Sequence, residues 1–410
     1  MAKEKRVRQL SLVILVGLLS ALVFHGVMGY CLHAGYPQNT FLFRADDRYN
    51  DFFNPLRGSY DRDPYNPDRI SYIGGYFPFG YFVSFLFSLI RPWWVPFLLF
   101  EVGFLAYLGL YVGWQVARDT EPRRGLGRLV TLGTIACIAF LTYPVMFIVD
   151  RANFDVVVFV FISLFVLLHQ RQQFVMATVV LSLAIAMKGY PAILLTLLLL
   201  DRRYKELVLG CVLVVILTFG SLAIFKDGVL IEIQKTLVSF QRASSIAFGS
   251  GSLVRFNSSL YTALVFLFDK VRSNVAMSPK FNIAYLVCAA ITYLVVVFRM
   301  WKWRSPFWQR LLLLIVLMIL LPPSSGDYRL VMLYPPLMVF LNNKTALKTD
   351  WVFITLFGLL LIPKAYYMLE SDINIGLLLN PMLLLLMLAA TMLTVNKPSP
   401  ESPELVEVHG

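Results

Sequence analysis

Long apolar runs separated by short polar connections make up most of the chain. Residues 10–30 and 95–117 form two long, mainly apolar runs, each long enough to cross about 30 Å of hydrocarbon. Ten further apolar segments also predict membrane spans, although several fall short of the usual length of about 20 residues. These ten segments cover residues 129–149, 155–169, 174–187, 190–200, 206–225, 282–300, 311–323, 329–343, 350–367 and 378–395. The pattern predicts an all-α polytopic membrane protein with about 12 transmembrane helices.

The two ends of the chain differ from these apolar runs. Residues 1–8 form a basic leader, and no small-x-small site closes the first run behind it. We therefore predict a retained signal anchor with a cytoplasmic N-terminus rather than a cleaved signal peptide. Residues 398–410 are rich in Pro and Glu and predict a disordered cytoplasmic tail. One transmembrane domain is expected to cover residues 1–397.

The apolar segment at residues 76–90 is too short to be counted as a full span. If it crossed the membrane, the basic cluster at residues 118–128 would lie outside, against the positive-inside rule. A half-membrane or re-entrant helix keeps that cluster in the cytoplasm, and such a helix is allowed where protein covers its backbone. The later basic clusters then fall in the cytoplasm as well.

A polar interval at residues 41–80 mixes carboxylates, guanidinium groups and aromatic rings. This mixture at a membrane face is typical of a site for a polar substrate. We therefore predict that two outer loops, residues 31–75 and 226–281, form the roof of an active site. Within the second loop, residues 259–268 are apolar but short and predict an interfacial helix.

Composition and charge narrow the class of protein. Of 410 residues, 58% are hydrophobic and 15% are charged, whereas soluble proteins have about 25% charged residues. The net charge of +12 comes from Lys and Arg clusters between apolar runs, which fits the positive-inside rule better than nucleic-acid binding. The four cysteines and four histidines are scattered and predict neither a disulfide framework nor a zinc or haem site. Walker, Rossmann, G-x-S-x-G and H-E-x-x-H motifs are absent from the sequence, which argues against a nucleotide-driven pump.

Asp51 stands next to an aromatic pair in the first outer loop. A carboxylate placed in this way could act as a general base towards a bound hydroxyl group. Asp46 and Asp47 compete for the same role. For each of the three, the alternative interpretation is a solvated loop aspartate.

Three basic side chains stand at predicted membrane boundaries on the outer side. Arg151 could hold a phosphate through two N–H groups, and Lys188 between two apolar segments needs a charged partner or a polar cavity. Arg329 opens a span on the side where positive charge is disfavoured. The alternatives are a polar corner with an N-cap and a local Asp–Arg pair for Arg151, snorkelling of Lys188 to the interface, and an ion pair between Arg329 and Asp327.

Residues 241–259 contain Arg242 and Arg255 among glycines and serines. The composition fits a mobile gate or a loose connector. The sequon that begins at Asn257 is too short a signal to predict glycosylation.

Several short motifs, spread over residues 10–345, together resemble glycosyltransferase family 87 of the GT-C superfold. This family includes polyprenyl-phosphate-mannose-dependent mannosyltransferases of bacterial envelope assembly. The motifs are Asp51-Phe52-Phe53-Asn54, Asp63-Pro64-Tyr65, Tyr76-Phe77-Pro78-Phe79, Asn153-Phe154-Asp155, Lys188-Gly189-Tyr190-Pro191, and Asp327-Tyr328-Arg329 with Pro335-Pro336. Two of them depart from the family pattern, because Phe77 and Gly189 stand where the family usually has proline.

The resemblance implies a GT-C helical bundle that transfers one hexose or pentose, such as mannose, from a polyprenyl-phosphate donor. The acceptor would be an envelope lipid or glycan on the outer face of the bacterial inner (plasma) membrane, and the transfer would be inverting. Asp51 would be the base, with Asp47 and Asp46 as alternates. Residues implied to hold the donor phosphate are Arg151, Lys188 and Arg329. Further substrate-binding residues would be Asn153, Asp155, Tyr190, Asp327, Tyr328, Arg242, Arg255 and Tyr76.

Membrane lipids are the other expected partners, and nucleic acid is not. No cofactor or divalent metal is required by the resemblance, although the acidic pair of Asp46 and Asp47 leaves a metal open. A transporter or flippase of lipid-linked sugars is the main alternative function, but alternating-access carriers often have two similar halves and none are visible here. A non-catalytic scaffold subunit is a third reading, which the density of outer Asp and Arg residues disfavours.

Overall fold

The computed structural model describes residues 2–42, 44–66, 76–118, 125–249, 255–271, 278–303, 305–344, 347–364, 368–370 and 373–394. Within these ranges α-helices dominate, as the apolar runs predict. The tail at residues 398–410, for which we predict disorder, and residues 67–75 of the first loop lie outside the described residues.

The helices follow one another along the chain with short connections. The first seven are α1 (Ala2–Gly26), α2 (Asn50–Tyr60), α3 (Pro78–Ser88), α4 (Trp94–Ala117), α5 (Leu126–Phe140), α6 (Tyr143–Arg151) and α7 (Asp155–Gln170). The next seven are α8 (Phe174–Met187), α9 (Leu195–Leu200), α10 (Tyr204–Leu222), α11 (Val229–Gly249), α12 (Leu260–Val271), α13 (Pro279–Trp303) and α14 (Phe307–Leu320). The last three are α15 (Tyr334–Leu341), α16 (Asp350–Leu361) and α17 (Gly376–Thr394). A π-helical turn (Val27–Cys31) and 3-10 turns (Ala45–Asp47, Tyr190–Leu194, Asp327–Leu333) extend or join them.

Each predicted span coincides with a helix or with a pair of consecutive helical segments. Among the described residues, five helices are long and apolar enough to cross a membrane, namely α1, α4, α10, α13 and α17. The pair formed by α5 and α6 is bent by 53° and brings the number to at most six. Five shorter apolar stretches match predicted spans at residues 155–169, 174–187, 190–200, 311–323 and 350–367. The predicted span at residues 329–343 corresponds to a 3-10 turn followed by the eight-residue helix α15. The protein is therefore a helical membrane protein, but helix length alone does not support twelve spans.

A small hairpin departs from the all-α prediction. Strand β1 (Met368–Glu370) pairs antiparallel with β2 (Ile373–Asn374) in the polar interval before α17. This segment is too short to form a helix, and the strand pairing supplies hydrogen bonds to its backbone N–H and C=O groups.

Helix α14 is the central element of the bundle. Every residue from 311 to 320 is buried, as expected for a helix that is apolar on all sides. The chain continues from its end through Pro322 and Pro323 into the 3-10 turn Asp327–Leu333 and then α15. Arg329 is therefore carried on a segment fixed by the core.

The short helix α3 packs against α2, α8 and α10. Pro78 lies in its first turn, where the missing N–H costs no hydrogen bond. A Cβ atom added at Gly80 would lie only 2.9 Å from the carbonyl oxygen of Met187, so only glycine permits this approach. Since Lys188 follows Met187 directly, the contact positions the end of α8 and its lysine.

Candidate active site

Asp51 lies in the first turn of α2 and is buried. Its neighbour Phe52 fixes the helix, because the Phe52 ring stacks on Phe154 with ring centres 5.7 Å apart and an interplanar angle of 5°. Tyr49, just before α2, has a φ of 59°, which is uncommon for a residue other than glycine. The N–H of Tyr49 donates to the carbonyl oxygen of Asp150 at 3.0 Å, which ties the start of α2 to the end of α6.

The corner between α6 and α7 supplies the partners of Asp51. Ala152 takes a left-handed conformation with a φ of 52° and ends α6. The side-chain oxygen of Asn153 then accepts a hydrogen bond of 2.9 Å from the N–H of Asp155, the first residue of α7. This tight corner places Arg151, Asn153 and Asp155 within one polar cluster.

Arg151 binds the Asp51 carboxylate through two nitrogens. Its Nε donates to Oδ2 of Asp51 at 3.1 Å, and its Nη2 donates to Oδ1. Nδ2 of Asn153 donates to Oδ2 of Asp51 at 2.7 Å, and Nη1 of Arg151 donates to the Asp47 carbonyl oxygen at 3.2 Å. Two-point guanidinium–carboxylate contacts are among the stronger and more directional polar interactions in proteins.

Arg151 takes the distant carboxylate of Asp51 as a partner, which the local Asp–Arg pair considered for this corner did not predict. Asp150 forms an ion pair with Arg48, whose Nε lies 2.9 Å from Oδ1 of Asp150. Sequence reasoning missed Arg48, although its place beside Asp47 in the charged loop was a signal that it could take part.

Lys188 links the amide of Asn153 to the buried carboxylate of Asp155. Its Nζ donates to Oδ1 of Asn153 and lies near Oδ1 of Asp155, in both cases at 2.9 Å. The ammonium group also lies 4.6 Å from the ring centre of Tyr76 and 5.7 Å from that of Tyr328, within cation–π range. Burial lowers the pKa of Lys188, and the negative charge of Asp155 opposes that shift. Lys188 is thus not a lysine that snorkels freely into water.

Asp155 contacts Tyr190 and Arg329 in addition to Lys188. Its side chain is fully buried, and the hydroxyl of Tyr190 donates to its Oδ1 at 2.9 Å. Nε of Arg329 lies 3.8 Å from its Oδ2, while Nη1 of Arg329 donates to the carbonyl oxygen of Ser324 at 2.9 Å. The Arg329 guanidinium also stacks 4.5 Å above the ring of Tyr190.

Asp327, by contrast, is not the partner of Arg329, so the interpretation of these two residues as an ion pair is wrong. Its Oδ1 accepts hydrogen bonds from Ser258 Oγ at 2.7 Å and from Asn380 Nδ2 at 3.2 Å. Its N–H donates to the carbonyl oxygen of Phe256 at 2.8 Å. Asp327 therefore joins the segment before α12 and helix α17 to its own turn.

The remaining predicted residues lie outside the buried cluster. Asp46 is exposed and pairs with Arg44 at 2.9 Å, while the carboxylate of Asp47 accepts a 3.4 Å contact from Asn50. Arg242 on α11 and Arg255 before α12 are both exposed. Asn257 of the sequon is buried, and its Nδ2 donates to Ser324 Oγ at 3.3 Å, so the amide is engaged inside the protein.

A second group of charges joins the loop at residues 31–75 to α11. Asp63, Asp227 and Glu232 bring their carboxylates close enough to share a cation, but Lys235 lies among them. Nζ of Lys235 lies 2.7 Å from Asp63 and 3.4 Å from Glu232, and it also contacts Asp227. The ammonium group occupies the position that a metal ion would need. Sequence reasoning did not find this cluster, because its members are far apart in the chain.

The two departures from the family pattern contact each other. A Cβ atom added at Gly189 would lie 2.5 Å from Cζ of Phe77, so the Phe77 ring fills the space beside the glycine. A large ring at one proline position is thereby accommodated by the absence of a side chain at the other. The corner that carries Lys188 keeps its packing without either proline.

The central cluster has more positive than negative charge. Asp51 and Asp155 face the three cations Arg151, Lys188 and Arg329. Their formal charges leave one positive charge in excess, in a place from which most water is excluded. Such a site favours an anionic group.

The sequence model of glycosyltransferase family 87 matches residues 75–323, which is more than half of the chain. The chain belongs to glycosyltransferase family 87. Comparison with curated proteins and with solved structures gave no match. With its apolar helices, this family 87 protein is a multi-pass membrane glycosyltransferase.

The matched part of this family 87 protein contains only some of the cluster. It includes Arg151, Asn153, Asp155 and Lys188, but it begins after Asp51 and ends before Arg329. Tertiary contacts, rather than the family match, therefore connect Asp51 and Arg329 to the family region.

Proposed function

We propose that this membrane glycosyltransferase moves a single hexose or pentose, such as mannose, from a polyprenyl-phosphate donor to an envelope lipid or glycan acceptor. The observation that carries the proposal is the buried cluster in which Asp51 lies beside an excess of positive charge. A carboxylate is suited to accept the proton of the acceptor hydroxyl, and cations are suited to the phosphate that leaves.

In the proposed reaction, Asp51 removes the proton from the acceptor hydroxyl as its oxygen attacks the anomeric carbon of the donor sugar. Attack comes from the side opposite the phosphate, so the configuration at that carbon is inverted. The bond between the anomeric carbon and the phosphate oxygen breaks, and the electron pair leaves with the polyprenyl phosphate. Arg151, Lys188 and Arg329 stabilise the charge that develops there.

Asn153, Asp155 and Tyr190 have positioning roles in this proposal. Asn153 holds both Asp51 and Lys188, and Asp155 holds Lys188. Tyr190 donates to Asp155 and carries the Arg329 guanidinium on its ring. Fixed donors and cations of this kind lower a barrier because they need little rearrangement as charge develops.

Donor binding is proposed to release the base. Arg151 makes a two-point contact with Asp51 in the structure, so the donor phosphate must compete for this guanidinium. Transfer of Arg151 to the phosphate leaves Asp51 with the amide of Asn153 and an open position for the acceptor hydroxyl.

The proposed topology has about twelve spans, cytoplasmic termini and the active site on the outer face of a bacterial inner membrane. The distribution of basic clusters supports this orientation. The short apolar helices support the count only if several cross in thinned or protein-lined regions. No metal ion is required, because the three cations of the cluster supply the positive charge.

The decisive experiment measures transfer from a panel of radiolabelled polyprenyl-phosphate sugars by purified protein in lipid. Wild type, Asp51→Asn and Asp46→Asn are compared, the last as a control that removes an exposed loop carboxylate. We expect product with wild type and Asp46→Asn and none with Asp51→Asn. If label crosses the bilayer of sealed vesicles without transfer, the flippase alternative replaces the proposal.

A further inference from the structure

The phenol of Tyr328 lies in the candidate active site but has no role in the reaction proposed above. Tyr328 belongs to the 3-10 turn that also carries Arg329, and its side chain is half-buried. Nζ of Lys188 lies 5.7 Å from the centre of its ring. The charged groups that act on the phenol are those of Asp51, Arg151, Asp155 and Arg329. Tyr328 therefore lies near both the candidate base and the candidate phosphate ligands.

Two contacts fix the ring of Tyr328. It stacks on Phe147 with ring centres 6.4 Å apart and an interplanar angle of 11°. A Cβ atom added at Gly326 would lie 2.6 Å from Cε1 and 3.1 Å from the phenol oxygen of Tyr328, so the ring occupies the space beside this glycine. The N–H of Arg329 donates to the carbonyl oxygen of Gly326 at 2.9 Å and keeps the turn tight. Packing thus sets the position of the phenol oxygen, as a substrate-binding group requires.

The hydroxyl group of Tyr328 has no hydrogen-bond partner among the residues that the structure describes. Tyr190 differs, because its hydroxyl donates to Asp155 at 2.9 Å. Burial raises the pKa of Tyr328, so the phenol keeps its proton and is a donor at neutral pH. The side chain is half-buried, and its oxygen is not one of the enclosed polar atoms that lack a partner, so a ligand can reach it.

The neighbouring groups narrow what this donor contacts. In the proposed reaction the leaving phosphate has the cations Arg151, Lys188 and Arg329 as partners, and the acceptor hydroxyl faces Asp51. The sugar ring lies between them, because the attacking and leaving oxygens stand on opposite sides of the anomeric carbon. Its hydroxyl groups are neutral and can accept a hydrogen bond from a neutral donor.

We propose that the phenol of Tyr328 donates a hydrogen bond to a hydroxyl group of the transferred sugar and thereby selects the sugar. This inference rests on the proposed function and names the residue that recognises the donor sugar. A site that binds a substrate hydroxyl in this way rejects the analogue without it, because the protein donor then lacks a partner. Tyr328 is thus a specificity-determining residue rather than a base or a phosphate ligand.

The test compares wild type and Tyr328→Phe on donors that lack single hydroxyl groups. The parent donor is the polyprenyl-phosphate sugar of the radiolabelled panel that wild type transfers fastest. Each hydroxyl group of its sugar is replaced in turn by hydrogen. Phenylalanine keeps the ring that stacks on Phe147 and removes only the oxygen. The value of kcat/KM is measured for every pair of enzyme and donor in lipid nanodiscs.

We expect Tyr328→Phe to lose about threefold to tenfold in kcat/KM on the parent donor, as for one neutral hydrogen bond. Wild type should lose a similar factor on one of the deoxy donors, and on that donor the two enzymes should be equal. A loss of the same factor on every donor would place the phenol against the phosphate or the acceptor and overturn the proposal. Full activity of Tyr328→Phe on the parent donor would also overturn it.

Gly326→Ala tests the position of the ring while the phenol oxygen stays. The backbone at residue 326 has a φ of −56° and a ψ of 147°, which alanine adopts without strain. The change therefore acts through the added Cβ atom, which displaces the Tyr328 ring. We expect this variant to lose the same preference for the parent donor, and Tyr328→Phe to add little to that loss in the double variant. An intact preference in Gly326→Ala would contradict the proposal.

Tyr293→Phe is the matched control, because the hydroxyl of Tyr293 contacts Thr196 at 2.6 Å, outside the charged cluster. This variant should keep the wild-type preference among the donors. If wild type transfers sugar and Tyr328→Phe shares its preference, the inference fails and the proposed function stands. If wild type transfers sugar from none of the donors, the proposed function fails and the inference fails with it.

Discussion

Asp51 and Asp327 are both buried carboxylates near turns between helices, yet their partners differ in kind. Asp51 is held by the guanidinium of Arg151 and the amide of Asn153. Asp327 accepts hydrogen bonds from the neutral groups of Ser258 and Asn380, and Lys364 acts on it through its charge while its Nζ donates to backbone carbonyl oxygens. A cation can be drawn away by an anionic ligand, whereas a set of neutral donors from separate segments has no such competitor. Asp51 is therefore suited to catalysis, whereas Asp327 is suited to connecting separate segments of the fold.

The largest expected effect is on turnover in Asp51→Asn. Loss of a general base costs about 100-fold to 10,000-fold in rate. The fold should persist, because the amide has nearly the same shape and can still accept from Asn153. The rate at saturating donor measures turnover, and thermal unfolding of the same sample measures the stability of the fold. A variant with full activity would move the base to Asp47 or Asp46.

A smaller effect is expected for Arg151→Lys. Lysine keeps the charge but cannot make the two-point contact that Arg151 makes with Asp51 and, in the proposed reaction, with the donor phosphate. Weakening of one charge-assisted hydrogen bond by about 1.5 to 3 kcal/mol corresponds to roughly a 10-fold to 150-fold rise in the KM for donor. The matched control is Arg48→Lys, which alters the neighbouring pair with Asp150. An unchanged KM in Arg151→Lys would show that charge alone, not the two-point contact, decides donor binding, and an equal rise in both variants would show that the effect is not specific to Arg151.

Asp327→Ala should act on stability instead. The change leaves Ser258 and Asn380 without their shared acceptor, and each unmet buried group costs about 1 to 3 kcal/mol. Thermal unfolding in lipid nanodiscs should therefore shift to lower temperature, while the KM for donor of the folded fraction changes little. A large change in KM at unchanged stability would place Asp327 in the substrate site and remove the contrast with Asp51.

The smallest effect is a pH dependence that Asp327→Asn should remove. Burial raises the pKa of Asp327, so the folded protein keeps this proton where an unfolded chain with an ordinary pKa of about 3.9 has lost it. The contribution of Asp327 to the free energy of unfolding therefore falls as pH rises from about 4 through the folded-state pKa. Asparagine cannot ionise and keeps an acceptor oxygen. The stability of the variant relative to wild type should rise over that interval, and a constant difference would contradict the assignment.

The sequence predicted where several candidate site residues lie relative to the ends of the helices. Asp155 was predicted at the start of a span and begins α7, and Lys188 was predicted between two apolar segments and follows α8. The apolar segment at residues 76–90, for which we predict a half-membrane or re-entrant helix, contains the short helix α3. These features depend on runs of neighbouring apolar residues and on the polar residues that end them, which are visible in sequence.

The sequence did not reveal which charged side chains contact each other. Arg151 stands beside Asp150 but binds Asp51, which is 100 positions away. Arg329 stands two residues from Asp327 but faces Asp155. The nearer acids have other partners, since Asp150 pairs with Arg48 and Asp327 accepts from Ser258 and Asn380.

The sequence by itself determined the class of protein, the order of its helices and the positions at which polar residues interrupt them. The length of an apolar segment and the bias of basic residues are properties of neighbouring residues in the sequence. The membrane requires both of any chain that crosses it. Only the tertiary structure decided that Asp51 joins the cations of the α6–α7 corner while Asp327 joins α17. Those pairings depend on how the helices pack, and packing is set by many contacts between distant residues, which a pattern along the chain does not contain.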